Sequence, residues 1–273
     1  MADSRRMVLV TNVLLALYAV VSLLPIAWMV VSSFKTDRQL LDGALLSFGD
    51  AGYANYAKAF AARPFGLYLV NSIFAALVSV AITLVIGVCA AYAFSKLRSR
   101  WTELLWYAIL ASIMIPLEAI VIPLFLEVHS FGWQDTYAGI VLPTALNAAG
   151  IFILRQAVAA IPEELFEASR MDGASEPVIL YQVVVPIIRA DLMVVAILTF
   201  SLSWNSYLWP LVITTSDELR TLPLGMAAFQ MTLNTRYSEI MAVSVFGTVP
   251  MALLFAFFQR HFMQSSIGSA VKG

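Results

Sequence analysis

Residues able to do covalent, redox or metal chemistry are sparse in these 273 residues. There are two histidines, His129 and His261, and one cysteine, Cys89. A single cysteine forms no internal disulfide and no paired-cysteine metal motif; lying in an apolar run, it reads as a small buried side chain. Cutting peptides inside a membrane would need a GxSG serine with a histidine, paired aspartates in two apolar runs, or HExxH. Both histidines fall outside the apolar runs, and no aspartate falls within one. The four lysines, Lys35, Lys58, Lys96 and Lys272, follow Phe, Ala, Ser and Val, so no phosphate-cradling GK[ST] motif exists. An ion-coupled carrier or channel would need ionisable groups at membrane depth, and Glu118 alone qualifies.

Two groups of residues remain. The first is a cluster of aromatic and hydrogen-bonding side chains, Ser201, Ser203, Trp204, Asn205, Tyr207 and Trp209, joined by Asn147 and Asn71 from other apolar runs. Aromatic faces with amides and hydroxyls are the chemistry that binds sugars. The same residue types glue membrane helices together and mark the membrane interface, so both readings stand. Glu118, between Pro116 and Pro123, either lines a path or caps a broken helix end. No Lys or Arg lies within an apolar run, which favours a neutral solute over an anionic one. The second group is a charged insert, Pro162 to Glu176, carrying Glu163, Glu164, Glu167, Arg170, Asp172 and Glu176.

The elements that position these groups follow from composition. Hydrophobic residues make up 61% and charged residues 12% of the chain, against roughly 45–50% and 25% in soluble domains. An all-α integral membrane protein is expected. A bilayer core of about 30 Å takes about 20 apolar residues in helix, and backbone groups in lipid must bond within the helix. Six such runs occur: 7–34, 64–95, 104–126, 136–154, 192–216 and 240–259. Pro116, Pro123, Pro143 and Pro210 should kink or end them. The first is too long for a secretory signal core and no cleavage site ends it, so it reads as a retained anchor. With the N-terminus inside, ten Lys and Arg fall on the cytoplasmic side and six outside, and the loop "SKLRSR" at 95–100 is the clearest marker. Both termini and the insert are then cytoplasmic. The net charge of −1 gives no pull toward nucleic acid. No composition break divides the chain, which reads as a single membrane domain over 1–273. Tyr53, Tyr56 and Phe60, at helical spacing in the first outer loop, fit a short interfacial helix or an outer docking surface.

The insert reads as two short helices. Pro162 with Glu163 and Glu164 starts one, Gly173 stops it, and Ser175 caps the next. Ala168, Ser169, Gly173 and Ala174 leave room for a close neighbour, while Leu165, Phe166 and Met171 are apolar residues on a loop. Composition leaves two readings open: a turn packed on its own helices, or a docking element for a cytoplasmic partner.

The string Glu167-Ala168-Ser169-Arg170-Met171-Asp172-Gly173-Ala174, with Val185-Pro186 following, resembles the EAA motif of ABC-importer permeases, with Ser169 in place of the usual Ala. "GSAVKG" at 268–273 and "SWNSYLWPL" at 203–211 resemble the carbohydrate-type permeases, and the likeness covers the whole chain. It is nearest to the second permease subunit of maltose-type and related sugar or glycerol-phosphate importers. The resemblance implies the type I importer permease fold with a coupling helix in the loop 159–186. It makes Glu167, Ala168, Ser169, Asp172, Gly173, Ala174 and Pro186 the ATPase-coupling residues, and Ser269, Ala270, Val271, Lys272 and Gly273 a second ATPase contact. Trp204, Asn205, Tyr207, Asn147, Asn71 and Glu118 are the candidate substrate path. The chain itself would bind no cofactor and catalyse no reaction; ATP and magnesium would sit on partners. The partners implied are a second permease, two copies of a cytoplasmic ATPase, an external binding protein or lipoprotein, and membrane lipid, in a bacterial or archaeal plasma membrane. The alternatives are a permease for glycerol phosphate or another small polar solute, or a secondary carrier outside the ABC class.

Overall fold

The computed structural model describes residues 2–43, 52–97, 99–230 and 236–270, with side chains described from Met7 to Phe258 within those ranges. The described residues are helices and turns, with no strand among them. Three helices are long and apolar enough to cross a bilayer: Met7–Ser32 within α1 (Ala2–Ser32), α4 (Phe65–Lys96), and Tyr237–Phe258 within α15 (Tyr237–Ala270). Three further stretches qualify only as bent pairs. α5 (Arg100–Ile113) and α6 (Leu117–Ser130) meet at 111°, α7 (Tyr137–Ala145) and α8 (Ala148–Ala159) at 45°, and Glu176–Ile187 meets α12 (Arg189–Trp204) at 81°.

The breaks have local causes. Pro116 stands in extended backbone as the cap of α6, since proline cannot continue the ladder from α5. Asn147, also extended, caps α8 by accepting from the N–H groups of Ala149 and Gly150 at 3.0 and 3.4 Å. Pro123, Pro143 and Pro250 are carried inside α6, α7 and α15. Proline at a cap breaks the path, whereas interior proline is accommodated.

The helices fall into two compact units. One comprises Met1–Phe65 with Gly225–Val249. In it, α2 (Asp37–Leu41) starts with a capping box of Thr36 and Gln39, and the Asp37 carboxylate accepts from the Ser238 N–H and hydroxyl at 2.8 and 2.9 Å. α3 (Ala54–Ala62) is pinned by Asn55, whose amide donates to the carbonyls of Ser33 and Lys35. Tyr56 bonds to Ser33 and Phe60 packs edge-on against Phe246, while Tyr53 is exposed. The apolar residues of α1 from Met7 to Leu24 are exposed, and burial begins only near Ser32.

The second unit comprises Gly66–Leu224 with Pro250–Gly273. α4 runs through it and defines two ends. At the start, Asn71 donates to the carbonyls of Glu218 and Arg220 and accepts from the Tyr137 hydroxyl. At the finish, Ser95 donates to the Arg155 carbonyl and Lys96 reaches Glu163. Asn71 and Lys96 are separated by about 38 Å of helix at 1.5 Å per residue, a membrane thickness. The core near the Lys96 end gathers Val88, Tyr92, Leu154, Val158, Phe166, Ile179 and Val184. The core near the Asn71 end gathers Val128, Ile140, Val141 and Trp209, whose indole N–H donates to the Gly139 carbonyl at 2.9 Å. Cys89 is exposed rather than buried. A helix facing lipid turns apolar side chains outward as readily as inward, so an apolar run does not reveal which face a small residue occupies.

Candidate functional site

The insert is built on the Lys96 end of the second unit. α9 (Glu163–Met171) begins after Pro162, with Glu163 and Glu164 in its first turn and Arg170 in its last, charges that complement the helix dipole. Gly173 then takes φ +80°, which lets the chain reverse into α10 (Glu176–Val178), a π-helical stretch (Ile179–Val184) and α11 (Val185–Ile187). Pro186 lies in α11.

α9 has two faces. Phe166 is fully buried, 6.2 Å from the Tyr92 ring, among residues from α4, α8 and the segment after the insert. The Lys96 ammonium lies 3.8 Å over the Phe166 ring and 2.7 Å from a Glu163 oxygen. Arg170 pairs with Glu176 at 3.0 Å and lies 3.8 Å from Glu163, and the Tyr92 hydroxyl donates to the second oxygen of Glu176. A chain of five polar groups, Lys96, Glu163, Arg170, Glu176 and Tyr92, therefore straps the insert to the end of α4. The other face is open. Leu165 is 44% and Met171 89% exposed, and Glu167, Ala168, Asp172 and Gly173 are exposed beside them. Ser169 is half-buried and turned back to the Leu165 carbonyl at 2.7 Å, and Ala174 packs against the core. The packed-turn reading describes one face of this element, through Phe166, while Leu165 and Met171 point away from the bundle.

The motif string covers most of the open face and contributes only Arg170 to the anchor. Tyr92, Lys96 and Glu176 lie outside the motif, up to 84 residues apart in sequence. The cue for Lys96 and Tyr92 is their place in the last turns of the same span, one turn apart. Of the C-terminal candidates, Ser269 and Ala270 lie in the last turn of α15, and Val271, Lys272 and Gly273 lie outside the described residues.

The candidate path residues are not brought together. Trp204 is buried and stacked on Phe200 with ring centroids 5.7 Å apart. Asn205 is exposed and donates to the Ser201 carbonyl at the end of α12. Tyr207 is exposed just before α13 (Leu208–Ile213). Asn71 has both amide hydrogens and its oxygen engaged in the loop contacts above. Glu118 is exposed in the first turn of α6. Of these, Asn147 alone lines a cavity of about 490 Å³ within the second unit.

Residues 83–265, including the insert, match the family described as the binding-protein-dependent transport system inner membrane component. The chain belongs to that family. A binding-protein-dependent permease of this kind is a multi-pass subunit of an ABC importer in the inner membrane, and the all-helical fold agrees. Among its relatives is the lactose transport system permease protein LacG of Rhizobium radiobacter, 35% identical over 255 residues and 93% of each chain. The diacetylchitobiose uptake system permease protein NgcG of Streptomyces coelicolor is 28% identical, over 95% of this chain and 87% of that one. The sn-glycerol-3-phosphate permease protein UgpE of Yersinia pestis is 29% identical, over 76% and 74%. Among solved structures, a chain of a bacterial ABC transporter that imports the acidic polysaccharide alginate superposes with a TM-score of 0.83. It is 25% identical and covers 96% of this permease and 98% of that chain. As a permease of this family, the chain is a transport subunit that works with an ATPase and a substrate-binding protein.

Proposed function

We propose that this permease forms half of the translocation path of a carbohydrate importer, beside a second, different permease subunit. Its coupling element is the open face of α9. The three bent pairs each count as one span, giving six, with both termini and α9 in the cytoplasm. A pair of ATPases, holding the ATP and magnesium, receives Glu167, Ala168, Ser169, Asp172, Gly173 and Ala174, with Pro186 bracing the return segment. The C-terminal residues 269–273 make a second contact. Closure of the ATPases pulls on α9, and the strap from Lys96 to Tyr92 passes that pull to α4. Ligand-state differences of this kind shift a two-state balance between inward- and outward-open forms.

The observation that carries this reading is the two-faced α9: an apolar residue that is 89% exposed, Met171, on a helix fixed from behind by a fully buried Phe166. A turn that only packed on its own bundle would have no use for Met171 and Leu165 on the far side. The lactose, arabino-oligosaccharide and diacetylchitobiose permeases among the relatives support a sugar as cargo. The glycerol-phosphate permease supports a second reading, an anionic solute, which the absence of Lys and Arg from the apolar runs disfavours.

The test is co-purification. The tagged chain is expressed with its neighbouring genes, solubilised gently and examined for a bound ATPase, beside Gly173→Asp. An ATPase that accompanies the wild type and is depleted at least about tenfold from the variant supports α9 as the coupling element. Equal recovery from both excludes it.

A further inference from the structure

Three breaks in the second unit, between α5 and α6, between α7 and α8, and at the end of α12, line one cavity of about 490 Å³. Backbone that leaves the helical ladder at membrane depth persists only where it is buried in protein or borders a polar cavity. Among the described residues, the wall carries hydroxyls from Ser79, Ser112, Thr144, Ser203 and Ser206, and no charged and no aromatic side chain. Ser79 lies two turns into α4 beyond Asn71, about 12 Å along the helix and well inside the span.

Two residues of this wall each carry a buried, unpartnered hydrogen-bonding group. Thr199 is 3% exposed and its hydroxyl has no hydrogen-bond partner. The Asn147 amide is oriented by its oxygen, which caps α8, and this leaves its buried Nδ2 without one. Buried polar groups normally find partners, and each orphan is costly. We infer that Asn147 and Thr199 form, within this chain, a subsite for a neutral, polyhydroxylated solute that hydrogen-bonds to them in passage. The volume falls within the roughly 300–1,000 Å³ of small-molecule sites. Without a cation the wall offers a phosphate or carboxylate hydrogen bonds but no counter-charge, and without an aromatic face it holds sugar by hydroxyls rather than by stacking. The subsite rests on the importer reading above and moves the path residues of this chain from Trp204 and Asn205 to Thr199, Ser203 and Ser206, with Asn147 kept.

The whole importer is purified with Ser206→Cys as a reporter and Cys89→Ser to remove the native thiol. Labelling by a small hydrophilic thiol reagent is followed with lactose, diacetylchitobiose or glycerol 3-phosphate present. Recovery of the ATPase in the same preparation tests the importer reading separately. We expect lactose or diacetylchitobiose to slow labelling at least about threefold. Adding Thr199→Val, which removes one hydroxyl at constant shape, should raise the protecting concentration about fivefold, the size of one lost hydrogen bond. Asn147→Asp, which keeps the α8 cap but replaces the amide donor, should do the same. Protection by none of the three, protection by glycerol 3-phosphate alone, or protection unchanged by both substitutions overturns the subsite and leaves a merely water-filled cavity. Any of these with the ATPase bound leaves the importer reading intact.

Discussion

Gly139 sits so close to Trp133 that a Cβ built on it would lie 2.0 Å from the Trp133 carbonyl oxygen, and the Gly139 carbonyl receives the Trp209 indole. The obstacle is backbone, which no rotamer change relieves. Gly139→Ala should therefore destabilise the chain by about 1–3 kcal/mol, read as a lower detergent-solubilised Tm. Gly173 is the opposite case: nothing lies within 4 Å of its added Cβ, and only its φ of +80° resists substitution. Gly173→Asn, tolerated in left-handed backbone, should keep the wild-type Tm and still reduce ATPase recovery. An Asn variant that binds the ATPase normally would mean that the exposed turn is not contacted. Asp135 stands at φ 55° and accepts from the N–H groups of Thr215 and Ser216 and the Ser216 hydroxyl, each at 3.0 Å. Burial raises its pKa, but these donors outweigh it and hold the carboxyl below the ordinary 3.8. The contact contributes fully above that value and is lost as pH falls through the lower folded value. The Tm gap between wild type and Asp135→Ala should be constant near neutrality and narrow below about pH 3.8. A gap that instead widened there would reverse the assignment.

At the scale of the element, α9 separates stability from coupling. Phe166→Ala should cost about 3–5 kcal/mol, as for other buried aromatics, and lower the yield of folded chain. Leu165→Glu and Met171→Glu alter only the exposed face, so Tm should move by less than about 0.5 kcal/mol in equivalent stability while ATPase recovery falls. If both classes of variant lose stability together, the two-faced description is wrong. The sequence made α9 legible because its start, stop and motif are all local signals: Pro162, the paired glutamates and Gly173 lie within a dozen residues. Its anchor was not legible, because the pairing of Tyr92 with Glu176 and of Lys96 with Glu163 depends on how α4 meets the insert. The path residues failed to assemble for a related reason. Trp204 and Asn205 are sequence neighbours, yet consecutive helical residues point about 100° apart, so one is buried and the other exposed. Thr199 and Ser203, one turn apart on α12, share the face that lines the cavity.

At the scale of the molecule, hydropathy alone located the apolar runs, because the requirement to satisfy backbone groups in lipid forces them into helix. It did not show where three of them are broken: Pro116 marks one break, whereas Asn147, the cap that starts α8, and Asn205, which closes α12, act through side-chain bonds. The exposed flank of α1 also has a consequence. No residue in its apolar window is buried, and the chain made without the partner permease proposed above should be degraded faster than the chain made with it, measurable as half-life in a chase. Equal half-lives would indicate that lipid alone suffices. The uncharged wall of the cavity bears finally on the electrical integrity of the membrane. Among the described residues, its wall offers an entering sodium ion or hydronium no fixed counter-charge in return for lost hydration. For the neutral solute proposed above, this chain's half of the path would then hold no charged side chain to draw an ion through behind it.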